Sequence, residues 1–394
     1  MGKHNGELIQ KLKEAYATAF SSLTPEEIIF APGRINLIGE HVDYNDGSML
    51  PAAINLGIYF VCGSYDSQLI DIHSIDFNES TTFDPNKTIR KSINPHWSNY
   101  LLGVIDQFKR KSVAIPGFKM VFAGDLPYGA GLSSSAALAC GFVHFLNQLT
   151  QANFTKKDLA LISQKAEQEF AGVNCGIMDQ ISSLFGKENS AIHLDSKTLE
   201  VDYINLNLGK YSLVLFNSNI KHSHSESEYN LRRAQCENAL SIIHSATGKN
   251  SFREIGIELV ESLKIQLGPD LYARAKFVVT EIERVQSAAT LLEQNKLTDF
   301  GRLMNESHKG LSDLYEVSCP ELDFLQKSAS SKTYVLGSRM MGGGFGGCTI
   351  NLLETAHLDD LIVEISTQYK DQFGLTLQPI SVNIGAGTST LKFS

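Results

Sequence analysis

Apolar residues at Leu8, Leu12, Ala15, Ala19 and Phe20 recur at helical spacing and predict an opening helix over residues 7–20. Residues 28–62 read as extended and turn-rich, broken by Pro32-Gly33, Asn45-Asp46-Gly47 and Pro51. Short strands are expected over 69–83. A helix is expected over 97–110, where Tyr100, Leu101, Val104, Ile105 and Phe108 share one side. Residues 118–123 alternate loosely and predict a strand that ends at Asp125-Leu126-Pro127. Residues 136–149 are rich in Ala, Leu, Phe and Val and predict a buried helix. A second helix, about 156–171, turns Leu159, Ile162, Ala166 and Phe170 inward. Strands return over 190–217, and the chain is mostly helical from about 228 to 330. Strands near 333–338 and 348–353, a helix near 357–370 and a last strand near 378–385 complete it. This order predicts an α+β fold of two lobes with a cleft between them. The expected lobes are 1–205 and 206–394, with the last strand free to return to the first lobe.

Composition narrows the classes. The 394 residues are 43% hydrophobic and 20% charged, as in a globular protein with a sizeable core. A net charge of −9 argues against a nucleic-acid partner or an anionic membrane surface. The six cysteines are scattered and form no Cys-x-x-Cys pair, which suits a reduced, cytoplasmic setting. No apolar run reaches membrane-spanning length, and the polar N-terminus lacks the apolar core of a signal peptide. A monomer is the expected state.

Four stretches carry candidate chemistry. Residues 129–135, Gly-Ala-Gly-Leu-Ser-Ser-Ser, join the expected strand to the buried helix. They read either as a small-residue cap or as an anion site, where unpaired N–H groups and the helix dipole meet a phosphate. No Gly-Lys-Ser/Thr follows, so this is not a Walker A loop. Residues 31–47 pack Arg34, Glu40, His41 and Asp43 beside two turn signals. That set reads either as a solvated polar loop or as acceptors for vicinal hydroxyls with a cation for phosphoryl charge. Asp179 reads as a helix cap or as a base for a hydroxyl. Glu167 reads as a solvated side chain or as a Mg²⁺ carboxylate.

Two further stretches point to less. His222, His224, Glu226 and Glu228 could share one face and bind zinc, but a polar loop entering a helix accounts for them better. Residues 342–347 match G-x-G-x-x-G, yet a strand follows rather than a helix, so a tight loop between strands is expected.

Taken together and in order, three motifs resemble the GHMP small-molecule kinases, and within them the galactokinases. They are the signature over 33–47, the phosphate motif Leu126-Pro-Tyr-Gly-Ala-Gly-Leu-Ser-Ser-Ser-Ala-Ala137, and the Gly-rich Arg339–Cys348 stretch. The segments around Cys175–Gln180 and Ser227–Glu237 resemble galactokinases as well. The resemblance implies transfer of phosphate from ATP, with Mg²⁺, to the anomeric hydroxyl of galactose in a cleft between two lobes. It implies that Glu40, His41, Asp43 and Tyr229 hold the sugar, with the backbone near Gly176. Asp179 would be the base, and Arg34 would neutralise phosphoryl charge beside it. Gly129, Ala130, Gly131, Leu132, Ser133, Ser134 and Ser135 would wrap the phosphates. Ser135 and Glu167 would complete the metal shell, and Ser74 and Trp97 would line the adenine pocket. Two positions depart from the family pattern: Lys221 stands where Arg is usual, and Met341 where Thr is usual. Two alternatives stay open, a sugar- and ATP-responsive regulator without turnover and a sibling kinase for N-acetylgalactosamine or arabinose.

Overall fold

A computed structural model describes residues 5–21, 23–94, 96–127, 130–173, 175–221 and 225–392, without the side chains of Lys221, Ser225 and Glu226. In chain order, the elements begin with α1 (Gly6–Ala19), β1 (Glu27–Asn36), β2 (Ser48–Met49), β3 (Pro51–Ser64), β4 (Ile70–Ser74) and β5 (Glu79–Phe83). They continue with α2 (Ser98–Arg110), β6 (Phe118–Gly124), α3 (Ser134–Leu149), α4 (Lys156–Ala166), α5 (Met178–Phe185), β7 (Ser190–Asp195) and β8 (Val201–Asn205). Next come β9 (Tyr211–Lys221), α6 (Ser225–Thr247), α7 (Ile257–Ser262), α8 (Lys264–Glu293), α9 (Leu297–Asp313) and α10 (Pro320–Ser330). The chain ends with β10 (Val335–Met341), β11 (Gly346–Glu354), α11 (Leu358–Phe373), β12 (Gln378–Val382) and β13 (Ser389–Leu391).

The first sheet runs β13-β1-β3-β6-β4-β5 and is antiparallel except where β4 meets β6. Its central strands are apolar on both faces, so it is covered on both. Phe30, Tyr59 and Val121 face α1, packing on Leu12, Tyr16 and Phe20. The alternate residues Ala31, Phe60 and Phe122 face the helical side, where α3 lies. Helix α3 is buried on nearly every side, as its composition predicts. Gly141 lets it approach the sheet, since a Cβ there would run into the Phe60 ring and Ala31. A second sheet runs β10-β11-β9-β12 and a third β2-β7-β8. One apolar core continues from the first sheet into the second, taking in Leu215, Met341, Cys348 and Ile350.

The expected elements form, with two differences. The helix expected over 156–171 stops as an α-helix at Ala166 and closes in a π-turn over Glu167–Ala171. The strand expected over 378–385 ends at Val382 and pairs with β9, and a further short strand, β13, returns to β1. With only Leu391 apolar among its three residues, β13 has no periodicity for a sequence to display. Among the described residues, no helix is long and apolar enough to cross a membrane.

Candidate active site

The site begins at an irregularity in β1. Its register against β3 slips between Pro32 and Arg34. Gly33 sits at the slip, where a Cβ would run into Leu126 and the Leu132 carbonyl oxygen. The phosphate-loop candidate therefore lies directly on β1. Arg34 is buried, and its Nε donates to Asp179 Oδ1 at 2.8 Å. Its NH1 donates to the Gly131 carbonyl at 2.6 Å, and its backbone N–H to the Leu132 carbonyl at 3.1 Å. The loop is tied from two other sides. The Cys348 thiol donates to the Ala130 carbonyl at 2.9 Å, and Ser133 Oγ donates to Asp179 Oδ2 at 2.5 Å.

Both cap readings give way here. Ser133 occupies the N-cap of α3 with φ 60°, and its hydroxyl serves Asp179 instead of the helix. Asp179 lies in the first turn of α5, behind an Ile177 N-cap, and spends both oxygens on Arg34 and Ser133. The first-turn N–H groups of α3, at Ser134 and Ser135, have no intrahelical acceptor, which leaves them for an anion. Gly129 lies outside the described residues.

The solvated-loop reading of 31–47 gives way as well, because Glu40 and His41 are 3% and 4% exposed. Glu40 Oε1 accepts from Arg339 NH2 and from the Gly342 N–H, both at 2.8 Å. Burial alone would raise the Glu40 pKa, but Arg339, Arg34 and the Gly342 N–H outweigh it and hold the carboxyl below its ordinary value. For Asp43 the backbone N–H groups of Tyr44 and of Asp43 itself act in the same direction but do not prevail. Burial, with Asp179 and Glu40 nearby, pushes it up to about 7. Asp43 thus takes up a proton near neutrality, whereas Glu40 stays ionised.

Arg34, Glu40, His41, Asp43, Asp179 and Tyr229 line one cavity of about 410 Å³. Cys175, Gly176 and the backbone of Gly342–Gly344 complete its wall. Gly176 is obligatory there, because a Cβ would overlap the Asp43 carboxylate. Tyr229, from α6, sets its ring 5.4 Å from that of His41 and 5.5 Å from that of Tyr44. The sequence thus named the polar wall and the Gly-rich stretch from Arg339, but not that Arg339 and the Gly342 N–H brace Glu40.

Glu167 is 2% exposed rather than solvated, since it follows Ala160 and Ser163 at helical spacing on the buried side of α4. Gln180 Nε2 donates to its Oε1 at 2.7 Å, and Ser135 hydrogen-bonds to it from α3. Burial nonetheless raises it to about 7. A buried carboxyl and a hydroxyl beside the phosphate loop fit a Mg²⁺ ion, which takes few protein oxygens and completes its shell with phosphate and water.

Ser74 and Trp97 stand apart from the polar cavity. Ser74 ends β4 opposite Phe122 of β6, and Trp97 precedes α2. The Trp97 indole packs edge-on to Phe122, and its Nε1 donates to Glu79 at 2.8 Å. Both therefore gather at the β6 end from which the phosphate loop departs. Met341 does not leave its position empty, since its sulfur accepts from the Asn36 N–H at 3.4 Å. His222 and His224 lie outside the described residues, as do the side chains of Glu226 and Lys221.

Comparisons with known proteins bear on the family and the fold. Residues 14–64 match the galactokinase galactose-binding signature, 99–187 the GHMP kinase N-terminal domain and 288–371 the GHMP kinase C-terminal domain. The chain is 42% identical to a galactokinase of Bos taurus over 370 residues, covering 92% of this chain and 93% of that one. It is 38% identical to a galactokinase of Clostridium beijerinckii, covering 97% and 99%. The crystal structure of Lactococcus lactis galactokinase complexed with galactose superposes with a TM-score of 0.93 at 34% identity, over 98% of this chain and 100% of that one. A mevalonate kinase structure, at 18% identity and a TM-score of 0.63, shares the fold.

Proposed function

The chain belongs to the galactokinase family of GHMP kinases, and from that premise we propose how its own residues phosphorylate galactose at the anomeric hydroxyl, giving galactose 1-phosphate and ADP. The observation that carries the proposal is the Arg34–Asp179 pair, which is hydrogen-bonded to the phosphate loop on one side and opens on the other into the cavity of Glu40, His41 and Asp43.

The sugar lies in that cavity, its hydroxyls donating to Glu40 and Asp43 and meeting Tyr229. Among the described residues, Arg339 and the Gly342 N–H both bond to Glu40 Oε1, which leaves Oε2 to a hydroxyl. The anomeric hydroxyl faces Asp179. Its oxygen forms a bond to the γ-phosphorus of ATP, the bond from that phosphorus to the β,γ-bridging oxygen breaks, and the hydroxyl proton passes to Asp179. Phosphoryl transfer has a loose transition state with little nucleophile bonding, so a modest base in the right place suffices. Arg34 is held by Asp179 and Gly131 where charge builds on the transferring group. The amides of 130–135 cradle the phosphates, and the Ser74–Trp97 corner receives the adenine. Ser135 and Glu167 would hold Mg²⁺, which when bound neutralises phosphate charge.

The proposal is tested by measuring ADP release with ATP, Mg²⁺ and a panel of galactose, N-acetylgalactosamine, glucose and arabinose. Galactose should have the highest kcat/KM. A preference for N-acetylgalactosamine or arabinose, or sugar binding without turnover, would overturn it.

The raised pKa of Asp43 gives galactose binding a pH dependence. An ionised carboxylate accepts a hydroxyl bond more strongly than a protonated one. Galactose binding therefore displaces the Asp43 proton, and affinity should climb as pH rises through about 7 and level off above it. Titration calorimetry in buffers of different ionisation enthalpy reads both the affinity and the released proton. Asp43→Asn should flatten the profile, while a flat profile in the unaltered chain would count against the assignment.

A further inference from the structure

Behind the cavity wall, four side chains form a continuous line of polar atoms through an otherwise apolar interior. His41 Nδ1 lies 2.7 Å from the Tyr44 hydroxyl, which lies 2.9 Å from the Tyr315 hydroxyl, which lies 3.1 Å from Cys236 Sγ. Tyr315 and Cys236 are fully buried. The Tyr315 ring is held between Phe277, with centroids 4.6 Å apart, and His41, at 4.9 Å. Its backbone is fixed too. Arg232 Nε donates to the Tyr315 carbonyl at 2.7 Å, and Arg274 donates to the Leu314 carbonyl. The Tyr315 hydroxyl is thus a rigid group with two polar neighbours and no role in the reaction described above.

We propose that this line places the proton of the His41 ring on Nε2, so that His41 donates a hydrogen bond to a sugar hydroxyl, with Tyr315 and Cys236 acting as positioning residues for sugar recognition. The donor part rests on the galactokinase reading; the tautomer does not.

A neutral imidazole carries one proton, and its position decides whether the ring gives or receives a bond on each side. His41 is neutral, since burial drives its pKa down to about 4. Tyr44 alone does not choose the tautomer, because a hydroxyl can donate or accept. The opposite side of the ring does choose. Among the described residues Nε2 is buried without a partner at hydrogen-bond geometry, on a ring that lines the same cavity as Glu40, Asp43 and Asp179. The charge of Glu40 favours a proton on this side of the ring, as does the adjoining Gly343 backbone, against the weaker opposing charges of Arg232 and Arg339.

With Nε2 protonated, Nδ1 must accept. Tyr44 then donates to it, Tyr315 donates to Tyr44, and the Cys236 thiol donates to Tyr315. Each hydroxyl gives one proton and takes one, so the line is satisfied throughout. The reverse direction would leave a bare nitrogen beside the Glu40 charge and the Gly343 backbone and end on sulfur, a weak acceptor. The consequence concerns specificity. Glu40, Asp43 and Asp179 read the protons of a sugar hydroxyl, whereas an N–H reads its lone pair. A site that makes both contacts rejects a sugar lacking that hydroxyl more strongly than one that makes a single contact.

Nitrogen-15 spectra of the histidine-labelled chain without sugar test the tautomer, with the His41 signals assigned by their loss in His41→Asn. Nε2 should resonate as the protonated nitrogen and Nδ1 as the bare one. In Tyr315→Phe both signals should move toward intermediate values as the tautomers mix. That variant should raise the galactose KM about five- to tenfold, the worth of one hydrogen bond, with kcat and the ATP KM within about twofold. Cys236→Ala should shift KM in the same direction by less. Across a series of monodeoxygalactoses, one analogue should give equal KM values for wild type and Tyr315→Phe, marking the hydroxyl that His41 holds. A proton on Nδ1 in the wild type would overturn the proposal. So would unchanged spectra and KM in Tyr315→Phe, or a KM ratio that persists with every analogue. Because the spectra need no sugar, failure to phosphorylate galactose would be seen separately from failure of the line.

Discussion

Asp179→Asn should lower kcat about a thousandfold or more while ATP binds within a few-fold of its normal affinity. The substitution keeps the side-chain volume and leaves an amide oxygen to accept from Arg34 Nε, the contact now at 2.8 Å. It removes the capacity to take the hydroxyl proton, and it places an N–H₂ group where Oδ2 now accepts from Ser133. Asp179→Ala should differ in one telling respect. It frees both Arg34 and Ser133, which together hold the loop at Gly131 and Ser133, so its ATP affinity should fall further than that of Asp179→Asn. Single-turnover kinetics together with nucleotide titration separate the two effects. A kcat within tenfold of wild type in Asp179→Asn would show that positioning alone drives the transfer, and Asp179 would lose its role as proton acceptor.

The same two bonds show what a linear chain could and could not reveal. Arg34, Glu40, His41 and Asp43 fall within ten positions, so their composition is visible locally, and the strand and helix flanking the phosphate loop follow from hydrophobic spacing. What those side chains touch is not local. Asp179 lies 145 positions from Arg34, and only the fold decides that its carboxylate serves Arg34 and Ser133 rather than the end of α5. Glu167 appears on a regular helix as a residue beside the apolar face. Helical spacing does set it on the side of the buried Ala160 and Ser163, but only the packing of α3 and α5 against α4 decides that its carboxyl meets Ser135 and Gln180. Strand β13 escapes for the opposite reason, being three residues held by pairing to β1 rather than by a pattern of its own. Tyr315 and Cys236 look like ordinary core residues in sequence, since their polar atoms meet only when α6 and the segment after α9 pack together.

Arg339 is the clearest case of a residue whose importance lies entirely in its distant partners, and its replacement should have the largest effect on stability. It sits in β10 with no measurable exposure, where a lone arginine costs several kcal/mol unless fully paired. Its guanidinium donates to the Leu37 carbonyl at 2.9 Å and to the Asn36 carbonyl, the Met340 carbonyl and Glu40, each at 2.8 Å. Three of these four partners belong to β1 or the turn that follows it, so the side chain clamps the second sheet onto the sugar signature. Arg339→Met should therefore destabilise the chain by about 3–5 kcal/mol, chiefly by leaving Glu40 as a buried, uncompensated carboxylate.

The sign of the pH effect separates this cause from simple loss of packing. In the wild type Glu40 has a folded-state pKa below its ordinary 4.5, so the stability it contributes is present above that value and is lost as pH falls through the folded-state value. In Arg339→Met, burial pushes the same carboxyl upward, and protonation relieves the penalty. The gap between wild type and variant, read from urea unfolding curves, should be widest near neutrality and shrink as pH falls toward about 4. Arg339→Met with Glu40→Gln should recover part of the lost stability yet bind galactose no better, because the hydroxyl acceptor is gone. A gap that stays constant with pH, or a double variant no more stable than Arg339→Met alone, would mean that Arg339 acts through its carbonyl bonds and not through the charge of Glu40.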